Sequence, residues 1–104
     1  MSQITYREIY DVWLVRLEDT LQTFGYKTHK NRLGVLRAWC PTSWLNRQKH
    51  FHALMNAATK MLEDRLAEIG MKPDPEDVPF ENEFDPIEGC HIWLVSLHRK
   101  AYKG

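Results

Sequence analysis

Acidic residues are missing from a long central stretch of this chain. Residues 20–62 contain no Asp or Glu but carry seven basic side chains: Lys27, Lys30, Arg32, Arg37, Arg47, Lys49 and Lys60. In 63–88 the balance reverses, with ten acidic residues against Arg65 and Lys72. The net charge of zero therefore hides a basic block followed by an acidic block. Such segregation shapes the electrostatic field around a small protein and selects which surfaces approach it.

Long apolar runs and a secretory signal are also lacking. No apolar run approaches the roughly 20 residues that a helix needs to cross a bilayer, so we expect no membrane partner. The N-terminus MSQITYREIY lacks the basic, apolar and small-residue pattern of a signal peptide. Cys40 and Cys90 are the only cysteines, and without an export signal a reduced pair is favoured over a disulfide. These features predict a cytoplasmic protein.

Recognisable catalytic and metal-binding motifs are absent from the sequence. There is no nucleophile elbow, no Gly-rich phosphate loop and no nucleotide fingerprint. The zinc-type ligands do not form the close local pairs of structural zinc sites, and His50 and His52 would lie about 200° apart on a helix. We therefore expect no catalytic residues, no cofactor and no metal bound by Cys40, His50, His52, Cys90 or His91.

Two long amphipathic segments predict helices. Thr5 and Glu8 form a capping box before the first, an apolar stripe repeats at helical spacing, and Gly25 ends it. The second begins at Thr42 or Ser43 and ends at Gly70. Helices are thus expected at 5–24 and 43–69, followed by an acidic, Pro-rich connection at 71–85.

Two shorter segments fit either a helix or a strand. In 33–40, Gly34 weakens a helix and the run is short enough for a strand. In 86–102, the D-x-x-E pattern of Asp85 and Glu88 favours a helix, whereas the run Ile-Trp-Leu-Val at 92–95 favours a strand. The capping pattern weighs toward the helix in 86–102.

The resulting fold prediction is a single all-α domain over 1–104, a compact bundle of three to four helices at 5–24, 43–69 and 86–102, with 32–39 as the fourth. The alternative is an α+β fold in which 33–39 and 91–97 pair as strands. The expected core comprises Ile9, Trp13, Leu17, Leu21, Phe51, Met55, Leu62, Leu66, Leu94 and Leu97.

The basic block is the candidate site. Arg and Trp are favoured at the centres of protein interfaces, and complementary charge steers association. We therefore expect a non-enzymatic binding module that contacts an acidic protein surface, and the same charge layout permits homo-oligomers. One alternative is a nucleic-acid-binding protein that uses the same face with tryptophan stacking, and another is a small metal-dependent or Cys/His enzyme. The candidate partner-binding residues are Lys27, Lys30, Arg32, Arg37, Trp39, Trp44, Arg47 and Lys49.

Overall fold

The computed structural model describes residues 3–30, 32, 34–39, 48–85 and 90–95, which form two helices and a four-stranded antiparallel sheet. The fold is therefore α+β, and the prediction of an all-α bundle of three to four helices is wrong. The elements in chain order are α1 (Tyr6–Thr23), β1 (Lys27–Lys30), β2 (Leu36–Trp39), α2 (Gln48–Ala67), a 3₁₀ turn (Pro75–Asp77), β3 (Phe80–Asp85) and β4 (Cys90–Val95).

Helix α1 begins and ends where local chemistry directs it. The Thr5 hydroxyl accepts a hydrogen bond from the backbone N–H of Glu8 at 3.2 Å. At the other end Gly25 adopts a φ of 86°, which places it in the left-handed region that suits glycine. The N–H of Tyr26 then donates to the Leu21 carbonyl at 2.9 Å, which closes the helix and turns the chain into β1.

Helix α2 ends in the same manner. Gly70 has a φ of 72°, and the N–H of Met71 donates to the Leu66 carbonyl at 2.9 Å. This end agrees with the second helix expected from the sequence. The expected start near residue 43 lies outside the described residues.

The pairing of β2 with β4 is what overturns the all-α prediction. The two strands run antiparallel, from Leu36 opposite Val95 to Trp39 opposite Ile92, so the alternative pairing of 33–39 with 91–97 is confirmed. Leu36 and Val95 are both fully buried. Burial of this pair, together with the sheet hydrogen bonds, outweighs the local capping pattern at 85–88. The rest of the expected helix, 86–89 and 96–102, lies outside the described residues.

The sheet order is β1-β2-β4-β3, and the core lies between one face of this sheet and the two helices. Leu36, Ala38 and Val95 supply the sheet side of the core cluster. Seven of the ten expected core residues are buried: Trp13, Leu17, Leu21, Phe51, Met55, Leu62 and Leu66. Ile9 packs against the cluster while partly exposed, and the side chains of Leu94 and Leu97 lie outside the described part.

Three hydrogen bonds of Tyr6 and Tyr10 hold the acidic connection against α1, and we call this group of bonds the clasp. The Tyr6 hydroxyl donates to the carboxylate of Asp77 at 2.8 Å and accepts from the N–H of Asp74 at 3.0 Å. One turn further on, the Tyr10 hydroxyl donates to the Asp77 carbonyl at 3.1 Å. Asp77 is only 4% exposed. Strand β3 begins after two further residues and occupies the last six residues of the 71–85 stretch.

Candidate protein-binding surfaces

The outer face of the β1–β2 hairpin gathers basic and aromatic side chains. Lys27 pairs with Trp39 and His29 pairs with Arg37 across the two strands. Residues directly opposite each other in antiparallel strands project to the same side of the sheet. Because Leu36 and Ala38 point into the core, these alternate residues point away from the helices. We call Lys27, His29, Arg37 and Trp39 the basic hairpin face.

Arg37 and Trp39 interact directly on this face. The Arg37 guanidinium carbon lies 5.7 Å from the centroid of the Trp39 ring, within the range of a cation–π contact. Both side chains are partly buried. Arg37 Nε and Trp39 Nε1 are covered, yet neither has a hydrogen-bond acceptor in the described part of the chain. A buried donor without an acceptor costs about 1–3 kcal/mol.

The other candidate residues are more dispersed. Lys30 and Arg32 are exposed around the tip of the hairpin, and Lys30 pairs with Leu36, so its register position belongs to the opposite side of the sheet from Arg37. Lys49 is exposed in the first turn of α2. Trp44 and Arg47 lie outside the described residues.

Ion pairs within the described residues do not involve Lys30, Arg32 or Arg37. The ion pairs found there join Arg7 to Asp11 and Lys60 to Asp64 along the two helices. Lys30, Arg32 and Arg37 belong to neither. Among the acidic side chains that the structure describes in 63–77, none forms an ion pair with these three cations.

A groove between α1 and α2 is a second surface of functional interest. The helices run antiparallel: Trp13 Nε1 donates to the Ala58 carbonyl at 2.8 Å, and the Phe24 ring lies 5.0 Å from that of His50. The groove encloses about 410 Å³. Helix α1 lines it with Ile9, Val12, Trp13, Arg16, Leu17 and Thr20. Helix α2 lines it with His50, Ala53, Leu54, Ala57, Ala58, Met61 and Arg65.

The size of the groove follows from the side chains along α2. Ala53, Ala57 and Ala58 line it and have no bulk beyond Cβ to fill the space between the helices. The indole of Trp13 is buried and fixed to the α2 backbone, so it forms a rigid part of the floor. The result is a concave apolar surface rather than a closed helix–helix contact.

The rims of this interhelical groove are apolar and basic. Val12 on α1 is 48% exposed and Met61 on α2 is 57% exposed. Arg16 and Arg65 supply cations. Among the described residues that line the groove there is no Asp or Glu. This surface was not predicted from the sequence.

Within the described residues, the potential metal ligands do not converge on one point. In the ranges that the structure describes, no group of three or more His, Cys, Asp or Glu is placed to hold a metal ion. His50 Nδ1 instead forms a hydrogen bond with the Tyr26 hydroxyl at 2.5 Å. Cys40 is outside the described residues, as are the side chains of Cys90 and His91. In the described ranges, neither helix is long and apolar enough to cross a membrane.

No protein-family model, no curated protein and no solved structure matches this chain. The interpretation of the two surfaces therefore rests on their own chemistry.

Proposed function

We propose that this chain is a non-enzymatic, cytoplasmic binding module that contacts an acidic region of a partner protein through the basic hairpin face. The observation that carries this proposal is the Arg37–Trp39 pair. A half-buried cation packed on a tryptophan ring combines the two residue types that are favoured at the centres of protein interfaces.

The charges around this pair support an acidic partner. Arg37 takes part in no ion pair with the described residues, and the exposed Lys30 and Arg32 follow along the same hairpin. Carboxylates from a partner would form hydrogen bonds with the exposed part of the Arg37 guanidinium. The nearby cations Lys30 and Arg32 would steer the approach of such a partner. Arg37 already occupies the neighbourhood of the Trp39 ring, which favours a carboxylate partner over a base stacked on that ring.

The test is a charge reversal on the hairpin. Lys27→Glu, Arg32→Glu and Arg37→Glu are combined in one variant, and a matched control combines Arg7→Glu, Lys60→Glu and Lys72→Glu on other exposed positions. A partner captured by the wild type is identified by mass spectrometry, purified and titrated by calorimetry. We expect the hairpin variant to bind at least about tenfold more weakly, whereas the control binds within about twofold of the wild type.

Two results would contradict this proposal. One is an equal loss of affinity in both variants, which would indicate a general effect of net charge. The other is retention of a labelled oligonucleotide at low salt, lost steeply as salt rises and abolished only by the hairpin variant. That second result would assign the same face to nucleic acid.

A further inference from the structure

We infer that the interhelical groove is a second binding site, and that its occupant is an amphipathic helix of a partner protein with acidic residues beside its apolar face. This site is separate from the basic hairpin face and does not depend on the function proposed for that face.

The exposed apolar side chains on the rims favour a helix over a small molecule. Val12 and Met61 stand on opposite rims, and Val15, 58% exposed, extends the apolar surface of α1 beyond the groove itself. A small ligand that reached the floor would leave these rims in water. A helix with its side chains is about 10 Å in diameter and would cover the floor and both rims together. Contiguous apolar surface of this kind marks interaction sites.

The length of the groove agrees with this occupant. Its lining runs from Ile9 to Thr20 on α1 and from His50 to Arg65 on α2, which corresponds to about 16 Å and about 22 Å of helix. A partner helix of about 11–15 residues has the same length. Such a helix would place three or four apolar side chains, spaced at i, i+3 or i+4 and i+7, into the groove.

The charge of the groove selects the partner. Arg65 lies on the last part of α2, at the end of the groove near Ile9, whereas Arg16 lies on α1 between Trp13 and Thr20. Acidic side chains of both helices, such as Asp11, Glu18 and Glu63, are not among the lining residues. Cations therefore border the apolar floor, and the described residues that line it include no carboxylate. Glu or Asp beside the apolar face of an incoming helix would pair with Arg16 and Arg65, whereas Lys at those positions would be repelled.

The experiment uses the full chain and a displayed library of peptides of about 15 residues. Each peptide carries apolar residues at helical spacing, and its flanking positions encode Glu or Lys at equal frequency. The wild type is the target, and the variant Ala57→Glu is the counter-target. Ala57 is exposed in the groove, so a glutamate there fills the space and repels an acidic helix. The matched control is Asn56→Glu, which adds the same charge at an exposed position outside the groove.

We expect selected peptides to carry Glu rather than Lys at the flanks. Measured by fluorescence anisotropy, a selected peptide should bind Ala57→Glu at least about tenfold more weakly than the wild type and Asn56→Glu within about twofold. The double variant Arg16→Glu/Arg65→Glu should shift the selection toward Lys, which a merely destabilised protein would not do. Circular dichroism melts of all variants show that the fold is retained.

Several results would overturn the inference. The first is that no peptide binds the wild type in preference to the counter-target. The second is that the selected peptides carry Glu and Lys equally often at their flanks. The third is that a selected peptide binds Ala57→Glu with the same affinity as the wild type. Saturable binding of laurate, lost in Ala57→Glu while no peptide is enriched, would assign the groove to an acyl chain. A dimer in sedimentation velocity that Ala57→Glu dissociates would assign it to a second copy of this chain.

Discussion

Replacing Tyr6 with phenylalanine tests how the acidic connection is held on the helical layer. The Tyr6 hydroxyl bridges the Asp77 carboxylate and the N–H of Asp74, at 2.8 Å and 3.0 Å. Phenylalanine keeps the ring and its stacking on Tyr10, whose centroid is 6.3 Å away, but removes both hydrogen bonds. The change therefore isolates the hydroxyl from the packing of the ring.

The size of the effect follows from the partner. A hydrogen bond to a charged group contributes about 1.5–3 kcal/mol to stability, and Tyr6 is only partly buried. We therefore expect the lower end, about 1.5 kcal/mol, which is a fall in Tm of about 8 °C for a domain of this size. Tyr10→Phe is a matched comparison: its hydroxyl donates to a neutral carbonyl oxygen at 3.1 Å, so we expect a loss of about 1 kcal/mol.

The same hydroxyl makes stability depend on pH. Burial raises the pKa of Tyr6 from 10.0 to about 12, and the negative charges of Asp77 and Asp74 add to the rise. Because the folded state favours the neutral phenol, this contribution is complete below pH 10 and is lost as the pH rises from 10 to 12. A shift of this size corresponds to about 2.7 kcal/mol, and since the ring is partly exposed, solvent screening reduces it to about 1 kcal/mol.

Urea unfolding at about pH 8 and about pH 11 measures both effects. The wild type should lose stability between these two values by about 1 kcal/mol more than Tyr6→Phe does. If Tyr6→Phe stays within about 0.5 kcal/mol of the wild type at pH 8, and both proteins respond equally to pH, the clasp does not hold the connection.

Two further predictions concern the helices. Gly70→Ala should lower stability by about 1 kcal/mol in a thermal melt, because φ is 72° and no atom lies within 4 Å of the added Cβ; an unchanged Tm would contradict this backbone argument. Leu62→Ala should lose about 2–5 kcal/mol in urea unfolding, whereas Met61→Ala should stay within about 0.5 kcal/mol, because Leu62 is 0% exposed and Met61 is 57% exposed. Equal losses at these neighbours would contradict the described orientation of α2.

The helices could be predicted from the sequence because their signals are local. The Thr5 cap directly precedes α1, and Gly25 and Gly70 lie two and three residues beyond the last residues of α1 and α2. The strands depend instead on partners far away in the chain. Segment 36–39 is stabilised by 92–95, and no local pattern shows that these two runs meet. The capping pattern of Asp85 and Glu88 therefore predicted a helix, and in 90–95 long-range pairing forms a strand instead.

The candidate surfaces differ in the same way. The basic residues of the hairpin face are visible in the sequence as formal charges, whereas the pairing of His29 with Arg37 requires the register. The groove could not be predicted from the sequence, because its volume depends on how far apart two helices pack. Its only sequence signal is the run of small residues on one side of α2, Ala53, Ala57 and Ala58. Small residues also permit close helix contact, so the signal alone does not predict a gap.

The positions of the two surfaces determine how a partner can use them. Arg37 and Trp39 face away from the core on the sheet layer, whereas the described residues that line the groove belong to the two helices. One compact ligand cannot contact both the outer side of the sheet and the seam between the helices. The hairpin charge reversal and Ala57→Glu should therefore act independently, each removing one interaction and sparing the other. A partner sensitive to both variants would have to reach around the domain, with an acidic segment on the sheet and a helix in the groove. Because a linker would join these two segments, the overall affinity of the partner would exceed that of either segment alone.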